Sequence, residues 1–280
     1  MGSISNETPA LANNPKFIFF TDFDGTVTTA DSNDFMTDNL GFGRERRVQL
    51  NKDVLFGRMH FRDSFQEMLD SVTTPFNECI DILKKNIKLD PGFKDFYDWS
   101  RENNVPIVIL SGGMTPVIST LLDTLLGPGW DIQIVSNDVQ SRDGKTINEQ
   151  GGWNIKFHDE SVHGHDKSIE IRKYSSLPNR PTMFYAGDGV SDLSAAKETD
   201  LLFAKADKGE LQIPSLAYYR DFEADSFCRS RHLLREREGA LCHLPRLVHH
   251  HPDLQGHCRR KGHRPGGRPG SDLNDDLTNE

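Results

Sequence analysis

Asp22-Phe23-Asp24-Gly25-Thr26 sets two carboxylates at the end of an apolar run that starts at Lys16. Similar apolar runs end in Ser111-Gly112-Gly113 and in Asp188-Gly189-Val190-Ser191-Asp192, and "GHDKS" supplies Lys167 between them. Ligands of open α/β sheets bind at the carboxyl ends of the strands. Four carboxylates, one hydroxyl and one ammonium are therefore expected along one edge of a sheet. Clustered carboxylates cannot all stay ionised without a cation. A hard divalent ion with oxygen ligands, Mg²⁺ above all, answers that, and a phosphate then becomes the natural substrate. One Asp can attack phosphorus and form an aspartyl-phosphate. The other can protonate the departing alkoxide and later activate water. Lys167, Ser111 and the backbone N–H groups near Gly112 and Gly113 would hold the phosphoryl oxygens.

Each of these residues also has a plainer reading. Asp22 and Asp24 alone are common turn residues, although an EF-hand is excluded because Gly25 comes too early and a strand precedes it. Asp188 and Asp192 can cap the helix that follows them. Ser111 alone is a strand-end turn residue, and Lys167 alone is a surface lysine. His163 and His165 read as loop residues. The joint pattern carries the chemistry, not any one residue.

The elements that would position this set follow from the periodicity. "KFIFFTD", "VPIVILSGG", "DIQIVSND", "PTMFYAGDG" and "DLLFAKA" are short continuous apolar runs, as in strands covered on both faces. "TPVISTLLDTLL" reads as a helix, with Pro116 early and Gly127 just past its end. "PGFKDFYDWSRENN" and "VSDLSAAKE" are helical as well. This alternation predicts an α/β fold, a doubly wound parallel sheet, over residues 16–30 and 91–206. Residues 31–90 have helical patterns only, such as "FRDSFQEMLDSV", and predict a small helical cap inserted after the first strand. The Asp143-Gly144 turn predicts a hairpin within residues 139–160.

The totals agree with such an enzyme. A chain of 280 residues suffices for one large domain with an insertion. A net charge of −9 disfavours a nucleic-acid partner. No apolar run approaches membrane-spanning length, and residues 1–15 read as a disordered lead without a signal-peptide core. The four Cys show neither metal-like nor disulfide-like spacing. The expectation is a cytoplasmic protein with no nucleic-acid or membrane partner; its oligomeric state is left open.

"DFDGT", "ILSGG", "HDKS" and "GDGVSD", in that order, resemble the four motifs of the haloacid-dehalogenase (HAD) superfamily over residues 22–192. The resemblance implies Asp22 as nucleophile, Asp24 as general acid/base, Ser111 on the phosphoryl group and Lys167 stabilising nucleophile and phosphate. It implies Mg²⁺ held by Asp22, the Asp24 carbonyl and Asp188, with Asp192 nearby. The second Asp points to a phosphatase, since dehalogenases lack it and transport ATPases usually carry Thr there. The inserted helices resemble the cap of the phosphoserine-phosphatase-like branch. That branch has an acidic residue matched by Asp31, and a cap Arg whose place falls on Met68, with Arg62 as a substitute. "TDFDGT…DSND…TDNLGFG" and "GDGVSDLSAAKETDLLFAK" look closest to fungal phosphatases acting on polyol phosphates. The implied function is Mg²⁺-dependent hydrolysis of a small phosphorylated metabolite, with a sugar-alcohol phosphate favoured and Asp31, Gly112 and Gly113 as substrate contacts. The alternatives are a phosphoserine phosphatase-like enzyme and an inactive, poorly folded form that binds phosphate without turnover.

Residues 207–280 differ from the rest. No Phe, Tyr, Trp or Ile follows Phe227, while seven of the 11 His lie beyond it. Three readings compete: a disordered tail, a metal site at His249-His250-His251, and a retained intron with a frameshift. For the last, codons for Gly209-Glu210-Leu211 can contain a splice donor and those for Phe227-Cys228-Arg229 an acceptor.

Overall fold

The computed structural model describes residues 8–189 and 192–205. The expectations for residues 207–280 lie outside the described residues. A six-stranded sheet forms the centre: β1 (Phe17–Thr21), β2 (Ile107–Met114), β3 (Gln133–Ser141), β4 (Trp153–Lys156), β5 (Thr182–Gly187) and β6 (Leu201–Ala204), in the order β4-β3-β2-β1-β5-β6. All pairings are parallel except β3 with β4. The doubly wound α/β fold expected from the apolar runs is therefore present. The expected hairpin is there too, but its first arm is the continuation of β3 itself, which runs straight on from the parallel sheet to Ser141.

Alternation along the buried strands feeds two apolar clusters. Ile18 and Phe20 of β1 pack with Val108, Leu110, Met183 and Tyr185 on one face, under Ile171 and Tyr174 of α7 (Lys167–Ser175). Phe19 points the other way, to Phe96 of α5 (Phe93–Glu102) and to the cluster that includes Val117, Ile118, Leu121 and Leu122 of α6 (Thr115–Leu126). Each fully buried large side chain contributes about 1.5–3 kcal/mol. Residues 8–14, expected to be disordered, are partly built into the fold. Pro9–Leu11 form a single 3₁₀ turn, and Ala10 and Leu11 lie against the α7-side cluster, apolar contact that the polar lead as a whole did not advertise.

Four helices come between β1 and α5: α1 (Ser32–Leu40), α2 (Arg44–Leu55), α3 (Phe61–Asp70) and α4 (Phe76–Asn86). Their buried residues, among them Met36, Leu50, Phe65, Met68, Leu69 and Leu83, join the α6-side cluster. The chain leaves and returns through a narrow neck. Thr28 bridges Leu89, Asp90 N–H donates to Val27 O, and Lys205 pairs with Asp90 at 2.9 Å while donating to Thr26 O. A last short helix, α8 (Leu193–Ala196), follows β5.

Candidate active site

β1 lies where the strand order turns, with β2 on one side and β5 on the other. Such a switch point opens a crevice above the strand ends. The register pairs Thr21 with Ile109 and with Ala186. Asp22 thus stands beside the ends of both neighbours, and Ser111 and Asp188 follow one step further along their strands. Asp22, Asp24, Ser111 and Lys167 are all more than nine-tenths buried.

Asp22 Oδ1 accepts the Phe23 N–H at 2.7 Å and lies 3.0 Å from Lys167 Nζ. Burial pushes the Asp22 carboxyl up to about 7, against the pull of Lys167 and with the push of Asp192 and Asp188. Burial also opposes the Lys167 charge, but Asp192 and Asp22 outweigh it and hold its proton more tightly than usual. Asp192 is fully buried and saturated. Its Oδ1 accepts from Lys167 Nζ at 2.7 Å and Tyr185 OH at 2.6 Å, and its Oδ2 from the backbone N–H groups of Asp188 and Gly189. Gly187 has to be glycine, since a Cβ there would collide with this carboxylate.

Carboxylate oxygens of Asp22, Asp188 and Asp192 all lie within 4.8 Å of one another. The carboxylates of Asp22 and Asp188, hard oxygen donors beside the saturated Asp192, fit a Mg²⁺-like cation. The Asp24 side chain is not part of this cluster. Its Oδ1 accepts the Ser32 N–H at 2.7 Å and its Oδ2 the Asn33 Nδ2 at 2.9 Å. Burial, followed by the charge of Asp31, raises its proton affinity well above the ordinary carboxylate range.

β2 loses its regular register with β3 between Ser111 and Met114, so Gly112 and Gly113 bulge from the sheet. Asn137 Nδ2 holds the bulge through Gly112 O at 2.7 Å. Ser111 Oγ accepts the Gly113 N–H at 3.0 Å, which leaves its own O–H to donate.

Asp31, expected to meet substrate, is the N-cap of α1. Its Oδ1 accepts the N–H groups of Asn33 and Asp34, both at 2.8 Å. Met68, in the place of the cap Arg, is 3% exposed inside the apolar cluster. Arg62 does not replace that Arg. It donates to Asp159 O at 2.6 Å and stacks over Phe157 at 4.4 Å, tying α3 to the loop before α7. Tyr185, Asn33, Asn137 and the half-buried pairing of Arg47 with Asp34 and Asp38 belong to none of the four motifs. Only Asn33 carried a signal, as part of "DSND" at the start of a helix.

His165 belongs to the same loop as Arg62's partners. It is 5% exposed, its ring meets His158 edge-on at 4.6 Å, and neither ring nitrogen has a hydrogen-bond partner. It is a loop residue, as its sequence context suggested, and it is buried.

Comparison with known proteins identifies the family. The profile of haloacid dehalogenase-like hydrolases matches residues 19–197. The chain is 52% identical over 203 residues to polyol phosphate phosphatase PYP1 of Saccharomyces cerevisiae, covering 69% of this chain and 82% of that one. It is 50% identical over 199 residues to Pdp3-interacting factor 1 of Schizosaccharomyces pombe, covering 70% and 84%. A solved phosphoserine phosphatase, a phospho-aspartyl intermediate analogue, superposes with a TM-score of 0.52 at 19% identity over 68% of this chain and 86% of that one, a likeness of fold.

Proposed function

We propose, for a chain that belongs to the haloacid dehalogenase-like hydrolase family and is one of its phosphatases, that its substrate is a sugar-alcohol phosphate cleaved through an aspartyl-phosphate on Asp22. The observation that carries this is the meeting of Asp22, Lys167, Asp188 and Asp192 at the end of β1. The name of the 52% identical relative supports the choice of polyol.

Lys167 and the Phe23 N–H both hold Asp22 Oδ1, which leaves Oδ2 to attack phosphorus. As the Asp22–phosphorus bond forms, the ester P–O bond breaks and Asp24 gives its proton to the leaving oxygen. Water then attacks the phosphoryl group, Asp24 takes back a proton, and Asp22 is restored. Ser111 O–H, freed to donate because its oxygen already accepts the Gly113 N–H, and the Gly112 N–H hold the equatorial oxygens. Asp22 and Asp188, with the Asp24 carbonyl, would hold Mg²⁺, and Asp192 orients Lys167 and the Asp188 loop more than it ligates, since both its oxygens are occupied. The bound ion supplies positive charge against the phosphoryl oxygens.

Cap chemistry favours a neutral leaving group over phosphoserine. Met68 is buried, Arg62 is engaged on backbone carbonyls, and Arg47 is paired at 2.6 Å with Asp34 and at 2.7 Å with Asp38. Asp31 keeps Oδ2 for a substrate hydroxyl, whereas it would repel a carboxylate. The reading is tested by Mg²⁺-dependent phosphate release from a panel of polyol phosphates, phosphoserine and an aryl phosphate. Polyol phosphates should give the highest kcat/KM, and Asp22→Asn should lower every kcat by about a thousandfold or more. Full activity in that variant would remove Asp22 as nucleophile; phosphoserine ranking first would remove the polyol.

A further inference from the structure

Asn33 is 3% exposed, and its side-chain amide makes one hydrogen bond, from Nδ2 to Asp24 Oδ2 at 2.9 Å. The amide oxygen is buried without a partner. A half-satisfied buried amide is costly, so its retention calls for a reason beyond packing. The backbone of Asn33 has separate duties that any side chain would leave intact. Its N–H donates to Asp31 Oδ1, and its carbonyl accepts from Thr37 Oγ1. The side chain's one hydrogen bond is with Asp24.

That contact lies against the phosphate-holding bulge. A Cβ on Gly113 would stand 3.0 Å from Asp24 Oδ2 and 3.5 Å from Asn33 Nδ2. Asp24 is held between the first turn of α1 and the Gly113 backbone. Ser32 N–H fixes Oδ1, but one bond leaves the carboxyl plane free to turn; the Asn33 amide on Oδ2 removes that freedom.

We propose that Asn33 is a positioning residue for proton transfer, acting by fixing the plane of the Asp24 carboxyl group against the leaving oxygen. This rests on the reading of Asp24 as general acid. In that step the P–O electron pair goes to the ester oxygen while the Asp24 O–H proton moves to the same atom, so an alcohol leaves. An alkyl oxygen needs the proton at that moment. A nitrophenolate is stable as the anion and needs it little. Losing the alignment therefore penalises alkyl esters selectively, and simple loosening of the site would not discriminate between leaving groups.

The test compares Asn33→Leu, Asn33→Ser and Asp24→Asn with the unaltered full chain on glycerol phosphate and para-nitrophenyl phosphate, both with Mg²⁺, and records thermal unfolding. Either Asn33 variant that folds suffices. The expected result is a kcat on glycerol phosphate lower by about a hundredfold. On para-nitrophenyl phosphate the fall should be less than about threefold, with KM little changed. Equal losses on the two substrates, no loss on either, or a change confined to the KM of glycerol phosphate would each overturn the proposal. Asp24→Asn separates the two readings. If it shows the leaving-group split and the Asn33 variants do not, only the role of Asn33 fails; if it shows no split, the acid role of Asp24 fails and the role of Asn33 with it.

Discussion

The buried charges at the end of β1 are arranged around Lys167. Its ammonium touches Asp22 and Asp192, and Tyr185 and two backbone N–H groups complete the Asp192 shell. Asp22 still retains a proton up to about pH 7 because burial outweighs Lys167. A cation entering the cluster has to displace that proton. Mg²⁺ affinity, measured calorimetrically, should therefore climb as the pH rises through about 7 and level off above it. Constant affinity from about pH 5.5 to pH 8 would mean that Asp22 is not a ligand. Asp192 can be tested without removing it. Gly187→Ala pushes a methyl group into its carboxylate and should cut kcat by about tenfold or more, with a lesser effect on the KM of the phosphate ester.

At the scale of elements, the four helices between β1 and α5 meet the strand ends through the first turn of α1. α3 shows why position in a motif is not enough. Its Met68 falls where a related cap carries Arg, yet its neighbours are the apolar residues of the cluster that runs down to Phe19. Met68→Arg should therefore not create phosphoserine hydrolysis. It should bury an unpaired guanidinium and lower stability by about 3 kcal/mol or more. Chemical denaturation and a phosphoserine assay read this directly; a folded variant with new phosphoserine activity would show that α3 faces the substrate after all. The first turn of α1 faces the end of β1: Asp31 caps it and Ser32 and Asn33 grip Asp24, while Asp34 and, a turn later, Asp38 take up Arg47 from α2. The identities of Asp22, Asp24 and Asp31 stood in the sequence as a spacing. That Asp31 spends one oxygen on its own helix did not, because an N-cap depends on where the helix begins.

In the molecule as a whole, another buried titratable group, His165, stands two residues before Lys167. Burial, then the neighbouring charges of His158 and Lys167, lower the His165 imidazolium to about 4, against an ordinary histidine near 6.5. The unfolded chain therefore binds the proton first as pH falls. Stability is full above about 6.5 and declines down to about 4, by roughly 2–3 kcal/mol. His165→Leu should remove that part of the acid sensitivity, so its unfolding temperature should exceed the parent's at pH 5 by more than at pH 8. An equal difference at both pH values would show that His165 does not titrate between folded and unfolded states. Among the described residues, no helix is long and apolar enough to cross a membrane.

Local chemistry settled much of this protein in advance. The strands were legible because residues covered on both faces form continuous apolar runs, and the chemical set was legible because carboxylate, hydroxyl and ammonium groups stood at the ends of those runs. Other outcomes depended on contacts that no local pattern specifies, from seven to 97 positions apart in the chain. Tyr185 reads as one more apolar strand residue until Asp192 and Lys167 fold against it. Asn33 reads as a helix-start residue until the neck brings it beside Asp24. Arg62 looked available for substrate, and the loop before α7 took it instead. Composition and periodicity act within a few residues, so they fix strands, helices and which groups those elements can deliver. Which group meets which is decided by packing, because only the assembled core sets distance, burial and the partners that remain.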